Sequence, residues 1–427
     1  MGRVKFQTVT GMHDILGEDW CYFNKIFETV EKIASFYNFE RIETPILEKA
    51  SLFEKGTGQT TDIVQKEMYT LKTKEGKDIL ALRPEGTPPV VRAYLQHGLF
   101  NLPQPVKLWY FGPYFRHERP QAGRYREFWQ FGFEVIGGKS PAIDAQIIKI
   151  FQEVLEEIGL KKIIFEVNSL GDSQCRPYYK KILVNFLKKK ERSLCRNCRK
   201  RLRKNPLRVL DCKEEKCQRI AKLSPQLIDH LCNECKEHFK EVLEFLDYLN
   251  IPYNLNPFLV RGLDYYTKTV FEVFREGEED SSVALGGGGR YDGLVKLLGG
   301  ENTPACGGAG GVERIIEAMK EEGIFLKEER VEIFLAQLGK EAKKKSLQIL
   351  EEFRKANIKI KEAIGKDSLK SQLKLADKFG AKYALILGQK EVMEDKIIIR
   401  DMESGKQRVI KIKNLIKEVK KLLKKKK

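Results

Sequence analysis

Two segments in the middle of the chain alternate aromatic and polar residues around a polar turn. They lie in the stretch FGPYFRHERPQAGRYREFWQFGFEVIG, residues 111–137. Pro120 and Gly123 interrupt the alternation, so the pattern predicts an antiparallel hairpin with a long basic loop. Side chains on a strand alternate between its two faces, and one face of the second strand is apolar. We expect that face to join a core through Trp129, Phe131, Phe133 and Val135.

The opposite face of the second strand is polar and broken by a glycine. Gln130 and Glu134 stand on either side of Gly132, and Arg116 in the first strand can be presented beside them. This arrangement predicts a floor for a small ligand that bears both charges; a polar strand face turned to water is the alternative. The loop favours a ligand, because guanidinium forks suit phosphate oxygens. The clustered guanidinium groups belong to Arg116, Arg119, Arg124 and Arg126.

Helical periodicity predicts helices on both sides of this hairpin. One runs from Trp20 to Ala34, and another starts at Ser140 and Pro141. The first is followed by the strand-like stretch FERIETPILE. Pro45 within it indicates an edge or interface strand, because proline cannot donate to a β-ladder.

Further candidate ligand groups occur beside glycines. Glu85 and Thr87 flank Gly86 in a turn before a predicted helix, where they either reach a ligand's ammonium or cap the helix. The stretches FLVRGLDYYTKTVFEVF, which carries Arg261, and SSVALGGGGRYDGLV are again predicted to form strands. The cluster CGGAGGVERII places Arg314 at the start of a helix, where anions are favoured. No GxxxxGK[ST] motif occurs, so any nucleotide binds without a P-loop.

A cysteine-bearing helical module is predicted at residues 175–249, between two strand-rich blocks. Cys195 and Cys198 form one CxxC pair, Cys232 and Cys235 another. In a reducing compartment this spacing favours tetrahedral zinc over disulfides, with these four cysteines as the expected ligands. Buried free thiols that pack as small apolar groups are the alternative.

Short strands and helices alternate from about Val331 onward. The helices are expected at residues 340–355 and 368–379, and the alternation predicts an α/β domain, residues 331–427, with a largely parallel sheet. Its last residues, KEVKKLLKKKK, suit RNA phosphates or form a solvated helix.

Charge narrows the function classes. The 427 residues carry a net charge of +18 with a pI near 9.3, which favours a polyanionic partner such as nucleic acid. No apolar run approaches the roughly 18 residues of a membrane span, and the start of the chain lacks a signal-peptide core. We therefore expect a cytoplasmic protein without membrane partners.

Taken together, these motifs resemble those of the bacterial histidyl-tRNA synthetases, a class II aminoacyl-tRNA synthetase family. FRHERPQAGRYREFWQFGFEVIG resembles class motif 2 and GAGGVERI motif 3; the strand at Pro45 resembles motif 1, which forms the family's dimer interface. LVRGLDYYTKTVFEV and LGGGGRYDGL resemble stretches specific to the histidine enzymes. The resemblance covers nearly the whole chain. It implies an α+β catalytic core of antiparallel sheet and flanking helices, residues 1–325, interrupted by the module, and an anticodon-binding α/β domain.

The resemblance also implies a function and a residue set. The enzyme would be a homodimer that activates L-histidine with ATP and Mg²⁺ and transfers it to tRNA(His). Arg116 and Arg261 would be catalytic at the α-phosphate, and Glu134 and Tyr266 would bind the two imidazole nitrogens. The implied histidine site is Glu85, Thr87, Arg116, Gln130, Glu134, Arg261, Tyr265, Tyr266 and Tyr291. The implied ATP site is Arg116, Arg124, Arg261 and Arg314, while Gln121 and Arg126 are expected at the tRNA acceptor end.

Two other function classes stay open. A non-catalytic, synthetase-like regulatory subunit of a phosphoribosyltransferase would share the fold, but such paralogues usually lack the C-terminal domain and part of the arginine set. An RNA-binding module without catalysis would account for the basic charge but not for the predicted pocket.

Overall fold

The computed structural model divides into two compact units, Met1–Leu326 and Lys327–Lys427. None of the helices it describes is long and apolar enough to cross a membrane. The described residues are 6–74, 76, 78–120, 123–212, 214–278, 284–326 and 331–424.

Strands and helices alternate irregularly along the first unit. Its strands are β1 (Glu40–Arg41), β2 (Leu47–Lys49), β3 (Thr70–Lys72), β4 (Ile79–Leu82), β5 (Val106–Phe115), β6 (Glu127–Ile136), β7 (Ile163–Ser169), β8 (Tyr253–Leu255), β9 (Thr267–Arg275), β10 (Gly286–Arg290) and β11 (Ala305–Gly311). Its helices are α1 (Glu18–Phe36), α2 (Ala50–Phe53), α3 (Thr87–Gln96), α4 (Pro141–Glu157), α5 (Cys175–Lys189), α6 (Arg196–Lys204), α7 (Glu215–Ala221), α8 (Asn233–Tyr248), α9 (Leu294–Leu297) and α10 (Val312–Glu321).

An eight-stranded sheet forms the centre of this unit, in the order β1-β5-β6-β11-β10-β9-β7-β8. All neighbours from β5 to β7 pair antiparallel, while β1 and β8 join the two edges in parallel. The predicted hairpin is confirmed: β5 and β6 pair antiparallel over their whole length, with Tyr110 opposite Gly132. The antiparallel core with flanking helices is therefore the architecture expected from the sequence.

The hairpin has the two faces that its alternation predicted. Phe131, Phe133 and Val135 are fully buried in a core formed with α1, α4 and α10, and Trp129 packs against that core. The other face meets a second core, in which Tyr110 of β5 packs with α3 and with the helices of the module. Both faces of the central sheet are covered, so the polar groups on the second face are enclosed.

The expected strand around Pro45 is wrong in detail. The stretch forms two separate short strands, β1 and β2, and Pro45 lies between them. Proline cannot donate a ladder hydrogen bond, so the strand is interrupted at this residue. The buried Arg83 fixes this segment by donating to the backbone oxygens of Thr44 (2.6 Å) and Pro113 (2.9 Å).

The segment between β7 and β8 is helical, and the strand that the sequence predicts after it begins later than expected. Helices α5 to α8 occupy this segment. The predicted strand beginning at Phe258 instead starts at Thr267, so Arg261, Tyr265 and Tyr266 lie on the loop that precedes β9. Gly262 and Pro257 both disfavour a regular ladder there.

The second unit is a small α/β sandwich. Its strands are β12 (Ile333–Gln337), β13 (Lys361–Glu362), β14 (Tyr383–Leu387), β15 (Lys396–Asp401) and β16 (Gln407–Lys411); its helices are α11 (Lys340–Lys355), α12 (Leu369–Lys378), α13 (Gln389–Met393) and α14 (Leu415–Lys424). The helix predictions are confirmed. The prediction of a largely parallel sheet is wrong. Strands β13-β12 and β12-β14 pair in parallel, whereas β14-β15 and β15-β16 pair antiparallel. The short connection 402–406 joins β15 to β16, and a parallel crossover needs a much longer one.

Candidate active site

Glycines on the central strands make room for large functional side chains. A Cβ atom on Gly132 or Gly86 would overlap the Tyr110 ring, and one on Gly307 would overlap the Glu134 carboxylate. A Cβ on Gly287 would lie 2.8 Å from an Arg261 nitrogen. The space expected above Gly132 is therefore filled by Tyr110, while the glycines of β10 and β11 admit Arg261 and Glu134.

Glu134 is fully buried at the centre of the sheet. Thr87 Oγ1 donates to Oε1 (2.7 Å), Tyr291 Oη donates to Oε2 (2.6 Å), and Tyr110 Oη lies 3.4 Å from Oε1. Burial raises the pKa of Glu134 from 4.5 to about 7, even though the hydrogen bonds from Tyr291 and Thr87 lower it. A carboxylate with these properties favours a ligand that brings a hydrogen-bond donor or a positive charge.

Glu85 is a second buried carboxylate in the same cluster. It accepts hydrogen bonds from the hydroxyls of Thr57 and of Tyr265, the latter at 2.7 Å. Burial raises its pKa, and the negative charge of Glu85 contributes to the raised pKa of Glu134. Two carboxylates kept together out of water form a strong site for a cationic ligand.

Three tyrosines line these carboxylates. The rings of Tyr265 and Tyr266 are 4.6 Å apart, and those of Tyr265 and Tyr291 are 5.8 Å apart. Burial raises the pKa of Tyr266 to about 12, so its hydroxyl keeps its proton at neutral pH and remains a donor. The Arg261 guanidinium lies over the Tyr266 ring, 5.8 Å from its centroid.

A polar cavity of about 910 Å³ opens beside the carboxylate cluster. Gln130 lies on its wall, four residues before Glu134 on β6. Arg116 and Arg261, which were also predicted for the amino acid, line it too. The other six predicted residues are buried and are not on its wall; they are Glu85, Thr87, Glu134, Tyr265, Tyr266 and Tyr291. The predicted ATP residues do line it, and they are Arg116, Arg124, Arg261 and Arg314.

Two of the cavity arginines are held by backbone oxygens. Arg116 Nε donates to the backbone oxygen of Pro84 (2.9 Å), and its guanidinium lies over the Phe128 ring. Arg314 donates to the backbone oxygens of Gly123 (3.1 Å) and Ala284 (2.9 Å). These contacts fix both guanidinium groups at the cavity.

Neighbouring arginines of the cavity repel one another, although acidic side chains also line its wall. Burial first, and then repulsion from Arg124, lowers the pKa of Arg314 to about 10. Arg261 forms an ion pair with Glu272, which holds its pKa above the ordinary value against the opposing effect of burial. Several guanidinium groups with mutual repulsion around one cavity favour a polyanionic ligand.

The two residues expected at the tRNA acceptor end remain predictions. Gln121 lies outside the described residues. Arg126 donates to the backbone oxygens of Glu118 (3.2 Å) and Thr10 (3.3 Å), and its own backbone N–H donates to Gly11. Its side chain thus ties the hairpin loop to the N-terminal segment.

The four cysteines expected to share one zinc ion do not meet. Cys195 and Cys198 lie with Cys212 and Cys217, whereas Cys232 and Cys235 lie with Cys175 and Asp172. The ligand set inferred from the outer CxxC pairs is therefore wrong, because each pair has partners from a different part of the chain.

Sequence reasoning missed three residues of the site. Tyr110 faces Gly132 across the hairpin, Thr57 bonds Glu85, and Glu272 pairs with Arg261. The sequence could have indicated Tyr110, because alternate residues of a strand share a face and Tyr110 lies an even number of positions before Tyr114 and Arg116. Thr57 and Glu272 reach the site through contacts that no local pattern indicates.

Replacing Glu134 with glutamine should stabilise the protein at alkaline pH. The folded state holds the Glu134 proton up to about pH 7 and the unfolded chain only to about 4.5, so wild-type stability falls as pH rises through this window. The loss amounts to about 3 kcal/mol at about 1.4 kcal/mol per pKa unit. The glutamine side chain does not titrate and has no such loss. The free energy of unfolding of Glu134→Gln should therefore exceed that of the wild type at pH 8, and the difference should vanish near pH 5.

Urea unfolding of both proteins at the two pH values checks this expectation. Glu301→Gln, the same substitution at an exposed position outside the site, provides the control. An equal difference between wild type and Glu134→Gln at pH 5 and pH 8 would contradict the raised pKa.

Comparisons with known proteins agree along nearly the whole chain. The family described as "Histidyl-tRNA synthetase" matches residues 11–315, and that described as "Anticodon binding domain" matches residues 332–422. The "Histidine--tRNA ligase" of Aquifex aeolicus (strain VF5) is 46% identical over 412 residues, 96% of this chain and 100% of that protein. The protein of the same name from Thermodesulfovibrio yellowstonii is 45% identical over 406 residues, 95% of this chain and 96% of its own.

Solved structures give the same result. The apo S. aureus histidyl-tRNA synthetase superposes with a TM-score of 0.80 at 35% identity, covering 97% of this chain and 99% of its own. An "ATP phosphoribosyltransferase regulatory subunit/histidyl-tRNA synthetase" from Bacillus halodurans C superposes with a TM-score of 0.63 at 19% identity, covering 90% and 98%. That second likeness shows the fold alone.

Proposed function

Because the chain belongs to the histidyl-tRNA synthetase family, we propose that Arg116 and Arg261 activate ATP while the buried carboxylate cluster binds L-histidine. The chain is a histidine–tRNA ligase, and the regulatory-subunit alternative is not favoured, since its relatives of nearly full length are ligases. The proposal concerns which residues perform each step, and how.

One observation carries the assignment: guanidinium groups from three distant segments line one cavity beside two buried carboxylates. Arg116, Arg261 and Arg314 line the cavity. Glu134 is buried on the strand that carries the lining residue Gln130, and Glu85 is buried close enough to Glu134 for their charges to interact. The cations suit a triphosphate, and the carboxylates suit the α-ammonium and an imidazole N–H. Burial raises the pKa of Glu85, and the positive charges of Arg116 and Arg261 oppose that rise, so the two regions interact electrostatically.

Adenylate formation follows from this distribution of charge. The carboxylate of histidine attacks the α-phosphorus of ATP, and pyrophosphate leaves. Negative charge grows on the α-phosphoryl oxygens, where Arg116 and Arg261 stabilise it, while Arg314 holds the departing end. The hydrogen bonds and the ion pair that fix these arginines keep them in place before the reaction.

Class II synthetases use Mg²⁺ with ATP, and the cavity wall offers suitable ligands. Mg²⁺ prefers one or two carboxylates together with substrate phosphates, and Glu118 and Glu272 both line the cavity. When bound there, the ion would neutralise charge on the phosphate oxygens. Glu118 lies 3.9 Å from Arg116 and 4.0 Å from Arg124, and Glu272 pairs with Arg261, so the cations and the proposed ion ligands alternate.

Selection of histidine rests on a donor and an acceptor at fixed positions. The Glu134 carboxylate accepts from one imidazole N–H, and the protonated Tyr266 hydroxyl donates to the other nitrogen. Glu85, Thr87 and Gln130 receive the α-ammonium, with Tyr265 and Tyr291 as the walls. An amino acid without two ring nitrogens would leave buried groups unpaired, at about 1–3 kcal/mol each.

The remaining assignments concern tRNA and assembly. We assign the anticodon of tRNA(His) to the second unit and the acceptor end to the motif 2 loop with Arg126, and we place a cytoplasmic homodimer on the sheet β2-β4-β3. This small sheet exposes the apolar residues Leu47, Leu71 and Ile79, and the exposed Ile46 directly precedes it; such a surface suits a second copy. Sedimentation of the purified chain measures the oligomeric state, and a monomer would contradict the assignment.

Removing the second unit should separate the two half-reactions. A chain ending at Leu326 should retain histidine-dependent pyrophosphate exchange, because every residue assigned to activation lies in the first unit. Charging of tRNA(His) should fall about 10²- to 10³-fold, which corresponds to about 3–4 kcal/mol of lost tRNA contacts. Aminoacylation and exchange rates of both proteins check this. Equal charging by the shortened chain would contradict the anticodon assignment.

A further inference from the structure

The helical module contains two groups of potential metal ligands, and we propose that each binds a structural zinc ion. The first group consists of Cys195, Cys198, Cys212 and Cys217. All four are buried, and their sulfur atoms all lie within 4.8 Å of one another. A tetrahedral zinc site with Zn–S bonds of about 2.3 Å places its sulfurs about 3.8 Å apart. Cys195 Sγ and Cys212 Sγ are 3.9 Å apart, close to that spacing.

Backbone donors point at the sulfurs of this group. The N–H of Cys198 donates to Cys195 Sγ (3.3 Å), and the N–H of Cys195 donates to Cys217 Sγ (3.2 Å). Such donors stabilise thiolates bound to a metal, whereas thiols that merely fill apolar space need none. Cys195 caps α6, whose sequence RNCRKRLRK is mostly arginine and lysine. Four thiolates and Zn²⁺ carry a net charge of −2, which this helix balances.

A different observation supports the second site. Asp172, Cys175, Cys232 and Cys235 also place their ligand atoms within 4.8 Å of one another, and the N–H of Cys232 donates to Cys175 Sγ (3.0 Å). Asp172 and Cys175 mark the start of the module, and Cys232 and Cys235 mark the start of its last helix, α8. An ion here would link the start of the module, directly after β7, to the start of its last helix.

The second site adjoins the loop that carries the pocket tyrosines. Arg176, next to Cys175, donates to the backbone oxygens of Leu170 (3.0 Å) and Tyr266. The N–H of Lys268 donates to the backbone oxygen of Gly171 (2.8 Å), next to Asp172. Metal binding would thus fix the backbone on both sides of Asp172 and, through Arg176, the position of Tyr266.

The ligand chemistry and the close spacing of the ligand atoms together fit a single zinc ion at each site. Thiolate ligands in closed tetrahedral sites suit Zn²⁺ or an iron–sulfur cluster, and three thiolates with one carboxylate also suit Zn²⁺. The two groups lie outside the residues assigned to activation, so the expected role is structural. The inference does not depend on the proposed function, since metal content is measured without any assay of activity.

Metal analysis of the full chain tests both sites. Protein purified without chelators should contain about two zinc ions per chain by inductively coupled plasma mass spectrometry. Cys198→Ser should remove half of this zinc, and Cys235→Ser should remove the other half. Cys21→Ser is the control, because Cys21 lies on α1 outside both groups, and it should retain all of the zinc.

Each other outcome overturns a part of the proposal. Metal-free wild-type protein overturns both sites, and iron with visible absorption overturns zinc. Loss of zinc in Cys198→Ser but not in Cys235→Ser overturns the second site alone. If the variants do not fold, alkylation of the wild type decides: the seven cysteines of the two groups should react only after zinc is released with a chelator, and unchanged labelling would contradict the proposal.

Discussion

Replacing Arg261 with alanine slows histidyl-adenylate formation by about 10²- to 10³-fold, while histidine still binds. Removing one donor from a site of developing negative charge typically has this effect. Arg261 lines the cavity, pairs with Glu272 and occupies the space left by Gly287. Because we assign its guanidinium to the phosphoryl oxygens that gain charge in the transition state, kcat of pyrophosphate exchange should fall more than KM for histidine rises.

Two variants separate the loss of the guanidinium from its side effects. Arg261→Ala leaves the Glu272 carboxylate unpaired at the cavity, which would itself repel ATP. Arg261→Lys keeps a positive charge beside Glu272, and it should still exchange more slowly than wild type if the two donors of the guanidinium act on the phosphoryl group. Arg219→Ala, on the exposed surface of α7, should exchange at the wild-type rate. Undiminished exchange in Arg261→Ala would remove Arg261 from the mechanism.

Replacing Glu134 with glutamine raises the KM for histidine about 10- to 100-fold and leaves the KM for ATP unchanged. A hydrogen bond to a charged group contributes about 1.5–3 kcal/mol, which corresponds to this range. The carboxylate already accepts from Tyr291 and Thr87 and has lone pairs left for an imidazole N–H. A glutamine amide has only one acceptor oxygen for the imidazole N–H and the three hydroxyls of Thr87, Tyr110 and Tyr291.

Histidine titrations of the exchange reaction at saturating ATP check this second expectation. Glu301→Gln should leave both constants unchanged. An unaltered KM for histidine in Glu134→Gln would show that the imidazole binds elsewhere. The same substitution is expected to stabilise the folded protein at pH 8, so lower affinity with higher stability would mark Glu134 as a group kept for function.

The alternation of apolar and polar residues correctly predicted which side chains of the hairpin face the core. The period of two placed Phe131 and Phe133 in the core and Glu134 on the opposite face, because adjacent strand residues must point opposite ways. The same reasoning gave no partner for Glu134, since Tyr291 and Thr87 come from distant segments. The glycine runs of β10 and β11 gave only a weak indication of strands, because glycine disfavours strand structure. Glycine is needed there because the buried side chains of Arg261 and Glu134 occupy the space that a Cβ atom would fill.

The cysteines show the limit of motif spacing. A CxxC pair places two sulfurs near each other, but only the tertiary fold decides which other ligands join them. The sulfur of Cys175 accepts a hydrogen bond from the backbone N–H of Cys232, 57 residues later in the chain. That contact depends on the packing of the start of α5 beside the start of α8, which no local pattern indicates. The outer pairs were therefore combined wrongly, although both belong to four-ligand groups.

Pyrophosphate exchange into ATP, measured with the wild-type chain and single amino acids, tests the assignment of the pocket most directly. The arginine cavity and the carboxylate cluster predict exchange that requires histidine and stays at background with phenylalanine or glutamine in its place. Equal exchange with those amino acids, or with none, would show that this pocket does not activate histidine.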